Sequence, residues 1–294
     1  MSFTILGTGS ALPGRIVTNE ELSCMVDTRD EWIRSRTGIR QRRVCSGESL
    51  TDLAYQAALL ALEDSYCEAG ELDLIICATV SADYVLPSLA CVLQARLGAH
   101  CPAFDVNAAC TGFLYGLDIA AGYFARNPQQ KILLVGADAM SRLVDWQERS
   151  TCVLFGDGAG AVVLGAGNDL LAIELSAQGD IAPLYVPNSW GNSPFHQTEE
   201  SQKKPYLVMD GQEVFRFAVT SMVQAVEQVL HKAGVRKERI AYLLPHQANI
   251  RIIDAAVNVS PILSCGETPQ RPAWRFCWMS RIGWADFKTA ICWF

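Results

Sequence analysis

Helical segments alternate with short apolar runs through the first half of the chain, and this order restricts the fold more than any other feature. The pattern predicts helices at 49–69, 89–97 and 112–126 and strands at 72–79, 103–106 and 131–136. Such alternation is typical of an α/β protein with a mainly parallel sheet that helices cover on both faces. A glycine-rich run at 152–164 predicts two further strands around a turn.

The same order of helix, polar link and apolar strand returns later in the chain. Residues 213–233 have an amphipathic helical pattern, and the apolar segment 240–244 follows them. Residues 176–212 are rich in Pro, Asn, Ser and Gly and predict a long excursion. The repeated order indicates an internal duplication, which demands another strand, turn and helix near residue 275.

Composition excludes several classes of protein. The chain has 294 residues, of which 50% are hydrophobic, and its net charge is −7. These values fit a globular protein and give no overall basic footprint for nucleic acid. No apolar stretch approaches the roughly 18 residues of a membrane span, and no signal-peptide pattern opens the chain. We therefore expect a cytoplasmic protein that binds neither nucleic acid nor membrane.

Cysteine and arginine usage adds two expectations. The 11 cysteines include no C-x-x-C pair and have irregular spacing, so neither a disulfide framework nor a metal site is expected. A cluster of five arginines near the start is either a solvated surface or a patch for an anionic ligand. Its members are Arg34, Arg36, Arg40, Arg42 and Arg43.

Two residues at predicted strand ends are candidates for catalysis. Cys110 lies between a strand and a helix, whose positive end is expected to lower the pKa of the thiol and favour a nucleophilic thiolate. His246 follows the second-half apolar segment, at the position where α/β folds place groups that contact ligands. Each also has a purely structural interpretation, as a core cysteine and a hydrogen-bonded histidine. Together they indicate acyl transfer through a thioester.

Four segments resemble, in the same order, the landmark segments of the β-ketoacyl-acyl carrier protein synthase III family. They read DEWIRSRTGIR at 30–40, NAACTGF at 107–113, STCVLFGDGAGA at 150–161 and HQAN at 246–249. The resemblance implies a thiolase-like fold with duplicated α/β halves, mixed and parallel sheets in α-β-α-β-α layers, and a truncated second half. The implied divisions are 1–170 with the nucleophile, 171–256 with the histidine loop and 257–294 as an aberrant tail.

The resemblance also implies an acyltransferase that initiates fatty acid biosynthesis. A short acyl-CoA such as acetyl-CoA would acylate Cys110, and malonyl-acyl carrier protein would then lose CO2 and condense with that acyl group. His246 would stabilise the charge that develops during decarboxylation. The family uses no metal or redox cofactor, since the CoA thioester is a substrate, and it implies a homodimer in which Leu86 lies in a segment that borders the acyl pocket across the interface.

Family positions that contact substrates match two sets of residues. The CoA-contacting set is Thr28, Trp32, Arg36, Arg149, Phe215 and Asn249. The carrier-protein set is Gln247, Ala248, Asn249, Ile250 and Arg251, with Arg251 as the expected charge contact for the acidic carrier.

The chain departs from the family near its end. The catalytic asparagine of a Gly-Asn-Thr-Ser-type motif is missing, and Asn249 matches a different position. The segment from 257 carries four tryptophans without periodicity, at positions 274, 278, 284 and 293. It is either a frameshifted translation, which the coding DNA read in other frames would reveal, or a real divergence.

Two alternatives to this function stay open on the sequence. One is another thiolase-fold acyltransferase of the polyketide or alkylquinolone type, which substrate profiling would separate. The other is a catalytically impaired relative that binds CoA or carrier protein without acylation of Cys110.

Overall fold

A computed structural model describes residues 2–188, 206–240 and 243–259. The strands in these residues are β1 (Ser2–Ala11), β2 (Arg15–Thr18), β3 (Gln41–Val44), β4 (Leu74–Ala78), β5 (Ala103–Val106), β6 (Ile132–Ala139), β7 (Asp157–Gly167), β8 (Leu184–Tyr185) and β9 (Val208–Met209). The helices are α1 (Asn19–Ser23), α2 (Asp30–Thr37), α3 (Leu50–Asp64), α4 (Leu89–Leu97), α5 (Gly112–Arg126), α6 (Arg149–Cys152), α7 (Gly211–Ala233) and α8 (Ile250–Val259).

The main sheet has five strands in the order β1-β7-β6-β4-β5. β4 pairs in parallel with both β5 and β6, whereas β7 pairs antiparallel with β6 and with β1. The sheet therefore combines a parallel part with antiparallel strands, which confirms the predicted fold class of mixed and parallel sheets. Because β4, β5 and β6 are parallel, their carboxyl ends meet at one edge of the sheet.

The prediction of two strands around a glycine turn at 152–164 is wrong. The structure has one strand there, β7, which begins at Asp157 and follows the short helix α6. β7 lies between β1 and β6, so both of its edges are already paired and no hairpin can form within the segment. The Asp157 carboxylate fixes the start of the strand by accepting hydrogen bonds from the Ser141 N–H, the Ser141 hydroxyl and the Cys45 N–H.

Helices cover both faces of the sheet, as the alternation predicts. α3 and α4 share an apolar cluster with one face, and α5 shares a second cluster with the other. A capping box begins α3, because the Ser49 hydroxyl accepts from the Asp52 N–H while the Asp52 carboxylate accepts from the Ser49 N–H. α4 ends at Gly98, whose φ of 70° is left-handed.

Glycines let α3 approach β1 closely. A Cβ atom at Gly9 would lie 2.1 Å from the carbonyl oxygen of Ala57 and 2.5 Å from the amide nitrogen of Ala61. Both are backbone atoms of α3, so no rotamer change can make room. Glycine at this position sets the distance between the helix and the sheet.

The second half contributes a helical pair to the described residues. α7 and α8 bury Met222, Val226, Ile252 and Ala256 against one another. The predicted strand at 240–244 is not formed at residues 240, 243 and 244, because a strand needs a pairing partner and the described residues supply none there. Residues 241 and 242, like the element expected near 275, lie outside the described residues. Position 257, where the tail is expected to begin, still lies within α8.

None of the helices in the described ranges is both long enough and apolar enough to cross a membrane.

Replacement of Gly9 by alanine tests the close helix approach. We expect Gly9→Ala to lower the free energy of unfolding by about 3 kcal/mol, because the new methyl group overlaps backbone atoms of α3. Urea denaturation measures the change. The matched control is Gly160→Ala on β7, where the nearest atom to a new Cβ is 4.0 Å away. Equal stability of the two variants would contradict the packing argument.

Candidate active site

Cys110 lies on a 3-10 turn, Ala109–Thr111, between β5 and α5. Ala109 has a φ of 46°, in the left-handed region that costs a non-glycine residue free energy. The Ala108 carbonyl holds the turn by accepting from the Thr111 N–H at 3.2 Å and from the Thr111 hydroxyl at 2.9 Å. The turn leaves the Cys110 side chain exposed, and within the described ranges Cys24 is the other exposed cysteine.

The turn is seated at the carboxyl end of the parallel strands. A Cβ atom at Gly112 would lie 3.1 Å from the Cβ of Ala78, the last residue of β4. The Thr79 N–H donates to the Val106 carbonyl at 3.2 Å and joins the ends of β4 and β5. Cys110 therefore lies where open α/β sheets hold their ligands.

The pKa of the Cys110 thiol is raised, so the expectation that the helix end lowers it is wrong. Although the side chain has solvent-accessible surface, the protein around the sulfur desolvates the thiolate, and this burial is the largest cause. The negative charge of Asp138 is the second cause. The helix α5 begins only at Gly112, after the 3-10 turn, and a backbone hydrogen bond at Cys110 lowers the pKa by less than these two causes raise it.

Asp138 is a residue of the site that the sequence analysis missed. It is near the end of β6, and its Oδ1 accepts from the Val80 N–H at 2.8 Å, the Ser81 hydroxyl at 2.7 Å and the Thr79 hydroxyl at 3.2 Å. Burial raises its pKa despite these hydrogen bonds, which act in the opposite direction. An acidic residue just past a long apolar run was the available signal.

His246 lies in the loop before α8. Its ring retains exposed surface, yet desolvation by the surrounding protein lowers its pKa and favours the neutral imidazole. Within the described part of the chain, no hydrogen bond joins His246 to Cys110.

Trp32 lies beside two of the predicted arginines. The guanidinium carbon of Arg36 is 4.6 Å from the centroid of the Trp32 ring, and that of Arg149 is 4.9 Å from it. Arg149 is held by donation to the Asp27 carbonyl at 2.8 Å. The hydroxyl of Thr28 is buried and has no hydrogen-bond partner in the described residues. An aromatic surface, two cations and a free hydroxyl suit a flat, anionic ligand.

The predicted carrier-protein segment, 247–251, runs from the preceding loop into the start of α8. Asn249 caps that helix, since its Oδ1 accepts from the Arg251 N–H at 2.9 Å. Ile250 lies against the end of α2, where a Cβ atom at Gly38 would be 3.3 Å from the Ile250 Cβ. The start of α8 is therefore next to the helix that carries Trp32 and Arg36.

The remaining residues of the predicted sets differ in exposure. Phe215 packs, partly buried, against the cluster between α7 and α8. Gln247, Ala248 and Arg251 are exposed. These three are available to a partner at the surface.

The arginine cluster divides into surface and interior members. Arg34, Arg36 and Arg40 are exposed, whereas Arg42 is only 5% exposed. The expectation of a solvated surface or a ligand patch is therefore wrong for Arg42.

Comparison with known proteins agrees with this geometry. The family model for 3-oxoacyl-[acyl-carrier-protein (ACP)] synthase III matches residues 104–179, which include the Cys110 turn. The β-ketoacyl-[acyl-carrier-protein] synthase III of Laribacter hongkongensis is 48% identical over 261 residues, covering 86% of this chain and 79% of the relative. That of Xylella fastidiosa is 46% identical over 263 residues with the same coverage of each.

Solved structures give the same result. The 3-oxoacyl-(acyl carrier protein) synthase III of Pseudomonas aeruginosa PAO1 superposes with a TM-score of 0.80 at 38% identity, covering 90% of this chain and 80% of that one. The priming β-ketosynthase of the R1128 polyketide pathway has a TM-score of 0.77 at 34% identity, covering 88% and 78%.

The fold and the strand-end cysteine define an acyltransferase of the thiolase fold. The chain belongs to the β-ketoacyl-acyl carrier protein synthase III family, whose members carry out the initiating condensation of fatty acid biosynthesis.

The raised pKa of Cys110 predicts how its reactivity depends on pH. Iodoacetamide reacts with the thiolate, so the alkylation rate should rise through a midpoint above the ordinary value of about 8.5. Asp138→Asn removes one of the two causes and keeps an acceptor oxygen, so we expect a lower midpoint. Mass spectrometry of the Cys110 peptide measures the rate.

Asp105→Asn is the matched control for this measurement. Asp105 is also partly buried and accepts two backbone N–H groups, from Leu89 and Ala90, yet it does not contribute to the Cys110 shift. A midpoint that moves equally in both variants would refute the role of the Asp138 charge.

Proposed function

We propose that this chain transfers an acyl group from a short acyl-CoA, such as acetyl-CoA, to Cys110 and presents it to malonyl-acyl carrier protein. The observation that carries the proposal is the exposed Cys110 on its left-handed turn beyond the ends of β4 and β5. The chemistry needs no metal or redox cofactor, because the thioester supplies the leaving group.

In the first step the Cys110 sulfur attacks the thioester carbonyl. A new carbon–sulfur bond forms, the bond to the CoA sulfur breaks, and CoA leaves with the proton that the thiol loses. The raised pKa keeps most of the resting Cys110 protonated at neutral pH. We therefore expect the thiol to lose its proton as the sulfur attacks, when the carbonyl oxygen of the bound thioester takes up the negative charge.

In the second step malonyl-acyl carrier protein loses CO2, and the resulting carbanion attacks the acyl-Cys110 carbonyl. The Cys110 thiolate leaves and is then protonated. His246 serves as a neutral hydrogen-bond donor to the thioester oxygen on which charge develops, a role that its lowered pKa supports. Because the family's catalytic asparagine is missing from the sequence, we expect this step to be slower than acylation.

The CoA nucleotide is proposed to lie against Trp32. Its adenine would stack on the indole, and its phosphates would meet Arg36 and Arg149, whose like charges an anion neutralises. The proposed contact set also includes Phe215, Asn249 and Thr28, whose hydroxyl has no hydrogen-bond partner in the described residues.

The acidic carrier protein is proposed to dock on the start of α8. Gln247, Ala248 and Arg251 are exposed there, and Arg251 supplies a positive charge. Since Ile250 touches the end of α2, a carrier at this position would lie close to the bound CoA nucleotide.

A homodimer is part of the proposal, as is a cytoplasmic location. The segment before Pro87 is strongly exposed, with Tyr84 58%, Val85 70% and Leu86 81% accessible. Three consecutive exposed apolar residues suit a surface that a second copy covers.

We expect Leu86→Asp to shift the chain from dimer to monomer in light scattering, whereas Leu171→Asp, at another exposed leucine, should not. A monomeric starting protein would refute the dimer.

Radiolabelled acetyl-CoA tests the acylation. We expect label to be retained on the unmodified chain and lost in Cys110→Ala, because the only proposed acceptor is gone. The matched control is Cys24→Ala, which removes the other exposed cysteine of the described residues and should keep the label. Labelling that survives in Cys110→Ala, or disappears in Cys24→Ala, would overturn the assignment.

A further inference from the structure

Arg42 is a buried cation that links three separate parts of the chain. It lies on β3 and is 5% exposed. Its Nη1 donates to the Val17 carbonyl at 3.2 Å, and its Nη2 donates to the Asn19 Oδ1 at 2.8 Å and to the Val153 carbonyl at 3.1 Å. The partners of this guanidinium among the described residues are neutral oxygens, and none of them forms an ion pair with it.

Asn19 extends this link to both ends of α2. The residue is fully buried, and its Nδ2 donates to the Asp30 Oδ1 at 2.8 Å and to the Ile39 carbonyl at 2.9 Å. Asp30 is the first residue of α2, and Ile39 follows its last turn. One amide group therefore fixes the helix that carries Trp32 and Arg36.

The third acceptor belongs to the other side of the Trp32 site. Val153 directly follows α6, and Arg149 is the first residue of that helix. Arg42 thus links Asn19, which is hydrogen-bonded to both ends of α2, to the end of α6. Arg36 and Arg149 carry like charges beside one indole ring, and Arg149 is also 3.8 Å from the Asp27 carboxylate, so their common placement depends on the surrounding structure.

We propose that Arg42 and Asn19 are positioning residues for nucleotide recognition: they set the distance between Trp32 and Arg36 on α2 and Arg149 on α6. Both residues are buried, so they act on the site through α2 and α6 rather than by contact with the nucleotide. The inference rests on the proposed CoA site. It adds that the affinity for the nucleotide depends on the buried hydrogen-bond network of Arg42 and Asn19.

Arg42→Lys tests the proposal with the charge retained. A single ammonium group cannot reproduce the fork that reaches three acceptors. We expect the acetyl-CoA concentration for half-maximal Cys110 acetylation to rise about tenfold, while the maximal rate changes less than about twofold, as for a loss of uniform binding. Acetyl-pantetheine, which lacks the nucleotide, should react as it does with the unmodified chain.

Two further variants complete the experiment. Asn19→Asp keeps an acceptor oxygen for Arg42 but loses the hydrogen bonds that Asn19 donates to Asp30 and Ile39. We therefore expect it to raise the acetyl-CoA concentration for half-maximal acetylation in the same way. Arg15→Lys is the matched control, since Arg15 lies on β2 of the same two-stranded sheet and forms an ion pair with Glu21 rather than with α2 or α6.

The outcomes separate this inference from the function on which it rests. Equal losses with acetyl-CoA and acetyl-pantetheine would show a general structural role and overturn the inference, as would an unchanged acetyl-CoA dependence in both Arg42→Lys and Asn19→Asp. If Trp32→Ala also leaves the acetyl-CoA dependence unchanged, the proposed nucleotide site itself is wrong. A loss in Trp32→Ala without one in the two network variants refutes the positioning role alone.

Discussion

Parallel pairing of β4 with β5 and β6 is the constraint on which the site depends. It brings three strand ends to one edge of the sheet. Thr79 follows β4 and Cys110 follows β5, and Asp138, near the end of β6, accepts a hydrogen bond from the Thr79 hydroxyl. Antiparallel strands would distribute these groups over two edges. At the other edge strand of the same sheet, β1, the close approach of α3 at Gly9 fixes the position of the helix against the sheet.

The electrostatics of the cysteine reflect a competition between local and tertiary effects. A backbone hydrogen bond at Cys110 favours the thiolate, but burial and the Asp138 carboxylate act against it and raise the pKa. The same burial favours neutral His246. In the resting state these shifts favour a protonated Cys110 thiol and a neutral His246 imidazole, and the charge next to the thiol is that of the Asp138 carboxylate.

The proposed nucleotide region around Trp32 illustrates how a surface site depends on the interior. Trp32 and its two arginines are partly or fully exposed, and each of the two helices that carry them is short. Short helices have little intrinsic stability and need tertiary support. Arg42 and Asn19 give that support from the core, through hydrogen bonds between residues as many as 111 positions apart.

The sequence by itself determined the helices and strands whose periodicity is local: the predicted bounds of α4 and α5 coincide with the structure, and the motif around Cys110 indicated the family. Tertiary structure decided the rest, because it depends on long-range contacts. The antiparallel insertion of β7, the raised pKa of Cys110, the role of Asp138 and the burial of Arg42 all require neighbours that no local pattern contains. An arginine in a basic cluster has the same sequence signature whether solvent or Val153 surrounds it, and only the packing of β3 against α6 distinguishes the two.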